Sequence, residues 1–325
     1  MTDIFKLVAD EIYKPSRKHY PTRKVVAQYP DDIWSIDLAD NKELLDDNDG
    51  YRYMVNVVDV FSRYAWSVKT KDKTGATILE AFKKIVKENH DIYPAHLWAD
   101  AGGEFVNAEM NKWTEKHGIV LYHTYGNSKS CIVERFNRTL KTNLWRYFTA
   151  AKSRNWEKIL AVFISDYNKR KHRSIDMTPK EAHDLDDDGI IALYTHQYGD
   201  IPLKNDKPAK FKVGDYVRLN RSKEIFEKGY HPSWTMELFR IVKVMNTVPW
   251  TYRVQDLLKD SYEGSFYEQE MQLSKQNPKK DALLIEKVVE SKYKRVGTKN
   301  KKYDLVKYMG YSDKHNAWVP ATSEK

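Results

Sequence analysis

An α/β core built on a five-stranded mixed sheet over residues 31–185, followed by two small β-rich modules, is the fold class the sequence predicts. Three observations lead there. Within 31–185, three strand-sized apolar runs come first, and helical and strand patterns then alternate. From residue 208 the pattern changes to short β-type runs broken by Gly and Pro. Turn-rich stretches at 186–207 and 274–280 read as linkers, and 325 residues are enough for two or three domains with real cores.

The elements follow in order. Ile4 to Tyr13 suits a short helix, and K-P-S-R-K-H-Y-P-T-R-K at 14–24 suits an extended basic arm, so residues 1–30 are expected to run along the core or along DNA. In the strand from Ile33 to Leu38, Trp34, Ile36 and Leu38 alternate with Ser35 and Asp37, which puts the carboxylate on the face opposite Trp34. Tyr51 to Val60 and Arg63 to Lys69 read as a hairpin. Thr74 is an N-cap for a helix with Ile78, Phe82, Ile85 and Val86 at helical spacing. A strand from Ala95 ends at Asp100, a helix from Ala108 to His117 is closed by Gly118, and Ile119 to His123 is the last strand. The loop G-N-S-K-S at 126–130 precedes a long helix from about Cys131 to Ala150, and further helices fit Trp156 to Lys171 and Thr178 to His183.

Composition narrows the function classes. No apolar run approaches the roughly 20 residues of a membrane helix, and the N-terminus lacks the pattern of a signal peptide, so an intracellular protein without a membrane partner is expected. Cys131 is the one cysteine, which leaves no internal disulfide and no cysteine-rich zinc site; it reads as a small packing residue. The net charge of +9 is uneven: +3 over 1–30, −2 over 31–207, +4 over 208–280 and +4 over 281–325. Basic flanks around a mildly acidic centre suit a polyanion held beside a cation site.

Three acidic residues carry the chemistry: Asp37 in W-S-I-D-L, Asp100 in L-W-A-D-A-G-G-E-F, and Glu134 in I-V-E-R-F-N-R-T-L-K. Two strand ends and a helix start would gather three carboxylates, a costly cluster without counter-charge. Two Mg²⁺ (or Mn²⁺) ions would supply it and would suit two-metal phosphoryl transfer on nucleic acid. Arg138 and Lys141 lie at i+4 and i+7 from Glu134, on its helix face, where they could pin phosphates. Ser128, Lys129 and Ser130 in the preceding loop are placed to approach a DNA end. Glu104 and Asp59 read as structural, with Asp59 capping the turn into F-S-R, and His172 as a hydrogen-bonding residue of the following turn.

These motifs stand in family order. Asp31 to Ala182 resembles the catalytic core of retroviral and retrotransposon integrases, the D,D,E branch of the RNase H-like superfamily. It looks closest to the integrases of Maverick/Polinton elements and their virophage relatives through Y-M-V-N-V-V-D-V-F-S-R-Y-A-W at 53–66, V-E-R-F-N-R-T-L-K at 133–141 and Y-N-K-R-K-H-R-S-I at 167–175. Thirty-three residues separate Asp100 from Glu134, two fewer than is usual in retroviral enzymes, and their N-terminal His-His-Cys-Cys zinc module has no counterpart. The resemblance implies Asp37, Asp100 and Glu134 as catalytic metal ligands, double-stranded DNA (element ends and target) as partner, a homo-oligomer (dimer or tetramer) on DNA, and action in the host nucleus with packaging in virus particles. It implies 3′-end processing and strand transfer. The rivals are a non-catalytic chromatin- or DNA-tethering protein, an RNase H-type nuclease and a cut-and-paste transposase.

Residues 208–275 resemble the SH3-like barrel that follows such cores. Trp234, Trp250, Arg218, Arg221 and Arg253 give it the composition of a nucleic-acid platform. Residues 281–325, with L-I-E-K-V-V-E-S at 284–291 and Y-D-L-V-K-Y-M-G-Y-S-D-K-H-N-A-W-V-P at 303–320, resemble a chromodomain. Tyr308 and Tyr311 match two of the three aromatics of its peptide-binding cage, and Leu283 stands at the first, so the cage is incomplete and chromatin contact is the weaker expectation.

Overall fold

The structure, a computed structural model, describes the chain except residues 1, 18, 101, 125–130, 203, 204, 206, 222–230, 263, 297, 298 and 322–325. It divides into two compact units, Lys24–Ile201 and Met1–Arg23 with Pro202–Lys325. Helix α1 (Thr2–Ile12) thus groups with the C-terminal part of the chain.

The unit Lys24–Ile201 runs β1 (Ile33–Asp40), β2 (Tyr53–Asp59), β3 (Ala65–Thr70), α2 (Gly75–Glu88), β4 (His96–Asp100), α3 (Ala108–Lys116), β5 (Val120–Thr124), α4 (Cys131–Ala151), α5 (Leu160–Lys169), α6 (Pro179–His183) and α7 (Asp187–Tyr198). The sheet order is β3-β2-β1-β4-β5, antiparallel through β1 and parallel from β1 to β5. Alternation along the strands sends Trp34, Ile36, Val55 and Val57 to one face, where they pack with Ile78, Phe82 and Ile85 of α2. The other face, through Ala39, Met54 and Val58, receives Val133, Phe136, Leu140 and Leu144, a helical stripe along α4. Local signals set the boundaries: Thr74 Oγ1 accepts from Thr77 N at the start of α2, and Gly118, at φ +70°, turns the chain from α3 into β5.

One stretch read as linker is a helix. Asp186 caps α7 by accepting from Gly189 N, Asp187 and Asp188 occupy its first turn, and Leu193 and Tyr198 are buried with Ile33, Phe61 and Trp98. The D-L-D-D-D-G signal was an N-cap followed by dipole-favoured acids rather than a break.

The other unit contains β6 (Tyr216–Leu219), β7 (Phe239–Met245), β8 (Thr251–Gln255), β9 (Phe266–Tyr267) and β10 (Met271–Leu273), an antiparallel sheet of order β10-β6-β7-β8-β9 around Val217, Leu219, Phe239, Ile241, Tyr252 and Val254. A three-stranded antiparallel sheet follows: β11 (Ile285–Val296), β12 (Lys299–Tyr308) and β13 (Ala317–Pro320). The short helix expected from Ile4 to Tyr13 is present as α1 and is packed in this unit. Val8 and Ile12 of α1 pack on Trp234, and Glu11 Oε2 accepts from Arg218 Nε at 2.8 Å, with Arg218 fully buried. Residues 274–280 are not a free linker, since Ser274 Oγ and Lys275 N also donate to Glu11 and Gln276 Oε1 takes Arg218 Nη2. Arg218 and Trp234 are therefore framework, not parts of an open nucleic-acid platform.

Candidate catalytic carboxylate site

β1 and β4 run parallel with Ser35 opposite Trp98, the last pair of their ladder, and Asp37 and Asp100 each lie two residues further on, Asp100 at the end of β4 and Asp37 within β1. Equal spacing from a paired position also puts both side chains on one sheet face. For Asp37 that face is the one shared with Ala39, the side on which α4 packs. Parallel strands next to each other are the feature of this topology that sets two carboxylates side by side.

Asp37 is half-buried and held from two sides. Its Oδ1 accepts from Leu38 N at 2.8 Å, and its Oδ2 accepts from Asn137 Nδ2 at 2.6 Å. Asn137 Oδ1 in turn accepts from Asn56 Nδ2 at 2.6 Å, and Asn56 Oδ1 accepts from Ser67 Oγ at 2.6 Å. Asn56 is fully buried and sits directly opposite Asp37 across the β1–β2 ladder. The relay therefore ties α4 to β1 through side chains alone. Asn137 lies three residues after Glu134, one helical turn along the same face.

Glu134 is exposed in the first turn of α4. Arg138 is exposed too, and among the described residues no ion pair joins the two. Lys141 is half-buried, its Nζ 3.3 Å from Asp40 O, beside an Asp40 carboxylate that Arg52 grips at 2.7 and 2.6 Å. Those hydrogen bonds from Arg52 hold the Asp40 carboxyl below its ordinary value. Lys129, Ser130 and Ser128 lie outside the described residues.

All three acids carry the hard oxygen donors that suit Mg²⁺. Among the described residues, however, the ligand atoms within 4.8 Å of one another belong to Glu237, Asp256 and His315, not to Asp37, Asp100 and Glu134. The fold aligns the two aspartates and fastens the helix of Glu134 to one of them, and stops short of a closed three-carboxylate cluster.

Asn56 and Ser67 are passed over in the sequence analysis. A signal existed: Asn56 is the one amide in the otherwise apolar run Y-M-V-N-V-V, and a buried polar group in a central strand needs a partner. His172 holds the turn after α5, its N donating to Met177 O and its ring 3.3 Å from Tyr167 O; burial pushes its imidazole below the ordinary value. Tyr311, expected as a cage wall, is 6% exposed and its hydroxyl accepts from Leu238 N at 3.0 Å. That ring belongs to the packing between the tail and the preceding sheet; Tyr308 is half-buried with its centroid 6.2 Å from that of Tyr311.

A mixed sheet of this order, with helices on both faces and an aspartate on each of two neighbouring parallel strands, is an RNase H-like core. More particularly, residues 27–128 match the integrase core domain family, a span that includes Asp37 and Asp100 and ends before Glu134. The chain is 31% identical over 196 residues to a transposon-derived protein of Caenorhabditis elegans, covering 59% of this chain and 63% of that one. It is 30% identical over 145 residues to the Pol polyprotein of radiation murine leukemia virus (strain Kaplan), covering 43% of this chain and 24% of the polyprotein. The chain thus spans less than two thirds of these relatives. In three dimensions it is similar to a chain of the simian T-cell lymphotropic virus intasome in complex with PP2A regulatory subunit B56 gamma, with a TM-score of 0.57, 16% identity and coverage of 84% and 88%, a likeness of fold alone. Residues 27–128 are thus similar to a retroviral-like integrase core domain, with transposon-derived and Pol proteins among the relatives.

Proposed function

We propose that this protein is the DNA integrase of a mobile element or virus, of the Maverick/Polinton kind, which processes the 3′ ends of element DNA and joins them to host DNA. The observation that carries the reading is the placement of Asp37 and Asp100 two residues beyond a paired position, on one face of adjacent parallel strands, with the helix of Glu134 fastened to Asp37 through Asn137. Asp37, Asp100 and Glu134 would hold two Mg²⁺ ions, which when bound stabilise the attacking and leaving oxygens of an in-line phosphoryl transfer. Asn137, by donating to Asp37 Oδ2, orients that carboxylate. Arg138, one turn from Glu134 and exposed, receives a DNA phosphate; Lys141, a turn further on, supplies a second cation.

The two C-terminal sheets read as an SH3-like barrel and a chromodomain-like module, with double-stranded DNA as partner and a homo-oligomer as the acting form in the nucleus. Methyl-lysine reading is not part of the proposal, because Tyr311 is spent on Leu238. The test is incubation of the full chain and Mg²⁺ with duplexes carrying the element's terminal repeats. Shortened 3′ ends and strand-transfer products are expected. DNA bound without cleavage or joining in either Mg²⁺ or Mn²⁺ would instead favour the tethering protein.

A further inference from the structure

The turn after β12 brings His315 between two carboxylates of the preceding sheet: Nε2 lies 3.5 Å from Glu237 Oε1 and 3.4 Å from Asp256 Oδ2. His315 is 7% exposed, and its Nε2 is buried without a hydrogen-bond partner. Both separations exceed the 2.7–3.2 Å range of an N–H···O bond. They lie within the range of the edge of a tetrahedron around a zinc-sized ion, roughly 3.3–3.6 Å for bonds of 2.0–2.2 Å. A neutral imidazole lone pair facing two carboxylates is repulsive unless a cation sits between them.

The surroundings are arranged as they are around metal-binding histidines. His315 Nδ1 is 3.1 Å from Ser312 Oγ, which lets Nδ1–H donate there and leaves Nε2 as the ligand atom. Asp256 Oδ1 accepts from Leu258 N and Asp260 N, so its Oδ2 is the oxygen turned to the cluster. Charge points the same way. Glu237, Asp256 and Asp260 bring three negative charges, and Lys314, 2.6 Å from Asp256 Oδ2 and 2.9 Å from Asp260 Oδ2, returns one. The remainder equals one divalent cation.

We propose that Glu237, Asp256 and His315 form a structural site for one divalent transition-metal ion, Zn²⁺ by ligand chemistry, that clasps the C-terminal tail to the preceding sheet. One ligand comes from just before β7, one from just after β8 and one from the short turn between β12 and β13, so the ion links three segments remote in sequence. Lys314 shifts onto Asp260 when the ion enters. The site shares no residue with the core carboxylates, so its fate is independent of the catalytic reading.

The test uses the full chain carrying Asp37→Asn and Asp100→Asn, which removes competing carboxylates, stripped with EDTA and titrated with Zn²⁺ at pH 7.5. A single Zn²⁺ per chain retained through gel filtration is expected, with a rise in melting temperature. His315→Gln should abolish both, Glu237→Gln should weaken binding should the former fail to fold, and Ser312→Ala should weaken it roughly 10-fold. Lys314→Met should tighten it. No retained Zn²⁺, or undiminished Zn²⁺ in folded His315→Gln or Glu237→Gln, overturns the proposal and leaves a histidine-bridged ion pair.

Discussion

Asp37 owes its orientation to an amide three residues beyond Glu134, and that dependence can be measured. Asn137→Ala removes the donor to Asp37 Oδ2 and strands Asn56 Nδ2 in a buried site. Mg²⁺-dependent activity should fall roughly 10- to 100-fold, as for other groups that orient a ligand, while the circular dichroism spectrum is kept; unchanged activity would strip the relay of its role. Arg138→Ala and Lys141→Ala should each flatten the salt dependence of DNA binding by about one unit of log–log slope. Equal slopes for variant and parent protein would make both ordinary surface charges. Asp59 offers a pH handle. It is fully buried, accepts from Ser62 N at 2.7 Å and from Asp31 N at 3.2 Å, and burial pushes its carboxyl up to about 6. Below its ordinary value near 4 both folded and unfolded chains keep the proton; between about 4 and 6 only the folded chain does. Stability from this group is therefore full at low pH and is lost as pH rises through about 6. The urea midpoint of the parent protein, relative to Asp59→Asn, should decline across that window, and a parallel pH profile for the two would contradict the burial argument.

At the scale of elements, the pair Arg218–Glu11 decides whether α1 belongs to the C-terminal unit. Breaking a buried pair from one side leaves an uncompensated charge, so Glu11→Ala should cost on the order of 3–5 kcal/mol in urea unfolding, and a loss under about 1 kcal/mol would mean the pair is solvated. None of this was visible in the sequence, where Glu11 lies 207 residues from Arg218. Elements fixed by local chemistry were legible: α2 from Thr74 and its apolar stripe, α3 from Gly118, α4 from its start at Cys131. α7 was missed because consecutive aspartates serve turns and helix starts equally well, and only the burial of Leu193 and Tyr198 separates the two.

Over the whole molecule, the candidate site was legible as far as strand alternation reaches. Period-2 patterning puts Asp37 on the face opposite Trp34, and parallel pairing of β1 with β4 sets Asp100 at the same offset from Ser35 and Trp98 on that face. How far Glu134 stands from the two aspartates was not legible, because it depends on the path between β5 and α4. The central claim is that Glu134 completes a metal site in a protein whose DNA contacts lie elsewhere. Its most direct measurement is strand transfer and DNA binding by Glu134→Gln in parallel with the parent protein, in Mg²⁺. The account predicts joining lost by a factor of at least roughly 10³, about 4 kcal/mol in the barrier, with the dissociation constant for element-end duplex unchanged within about threefold, roughly 0.7 kcal/mol. Joining at the parent rate by Glu134→Gln would contradict it.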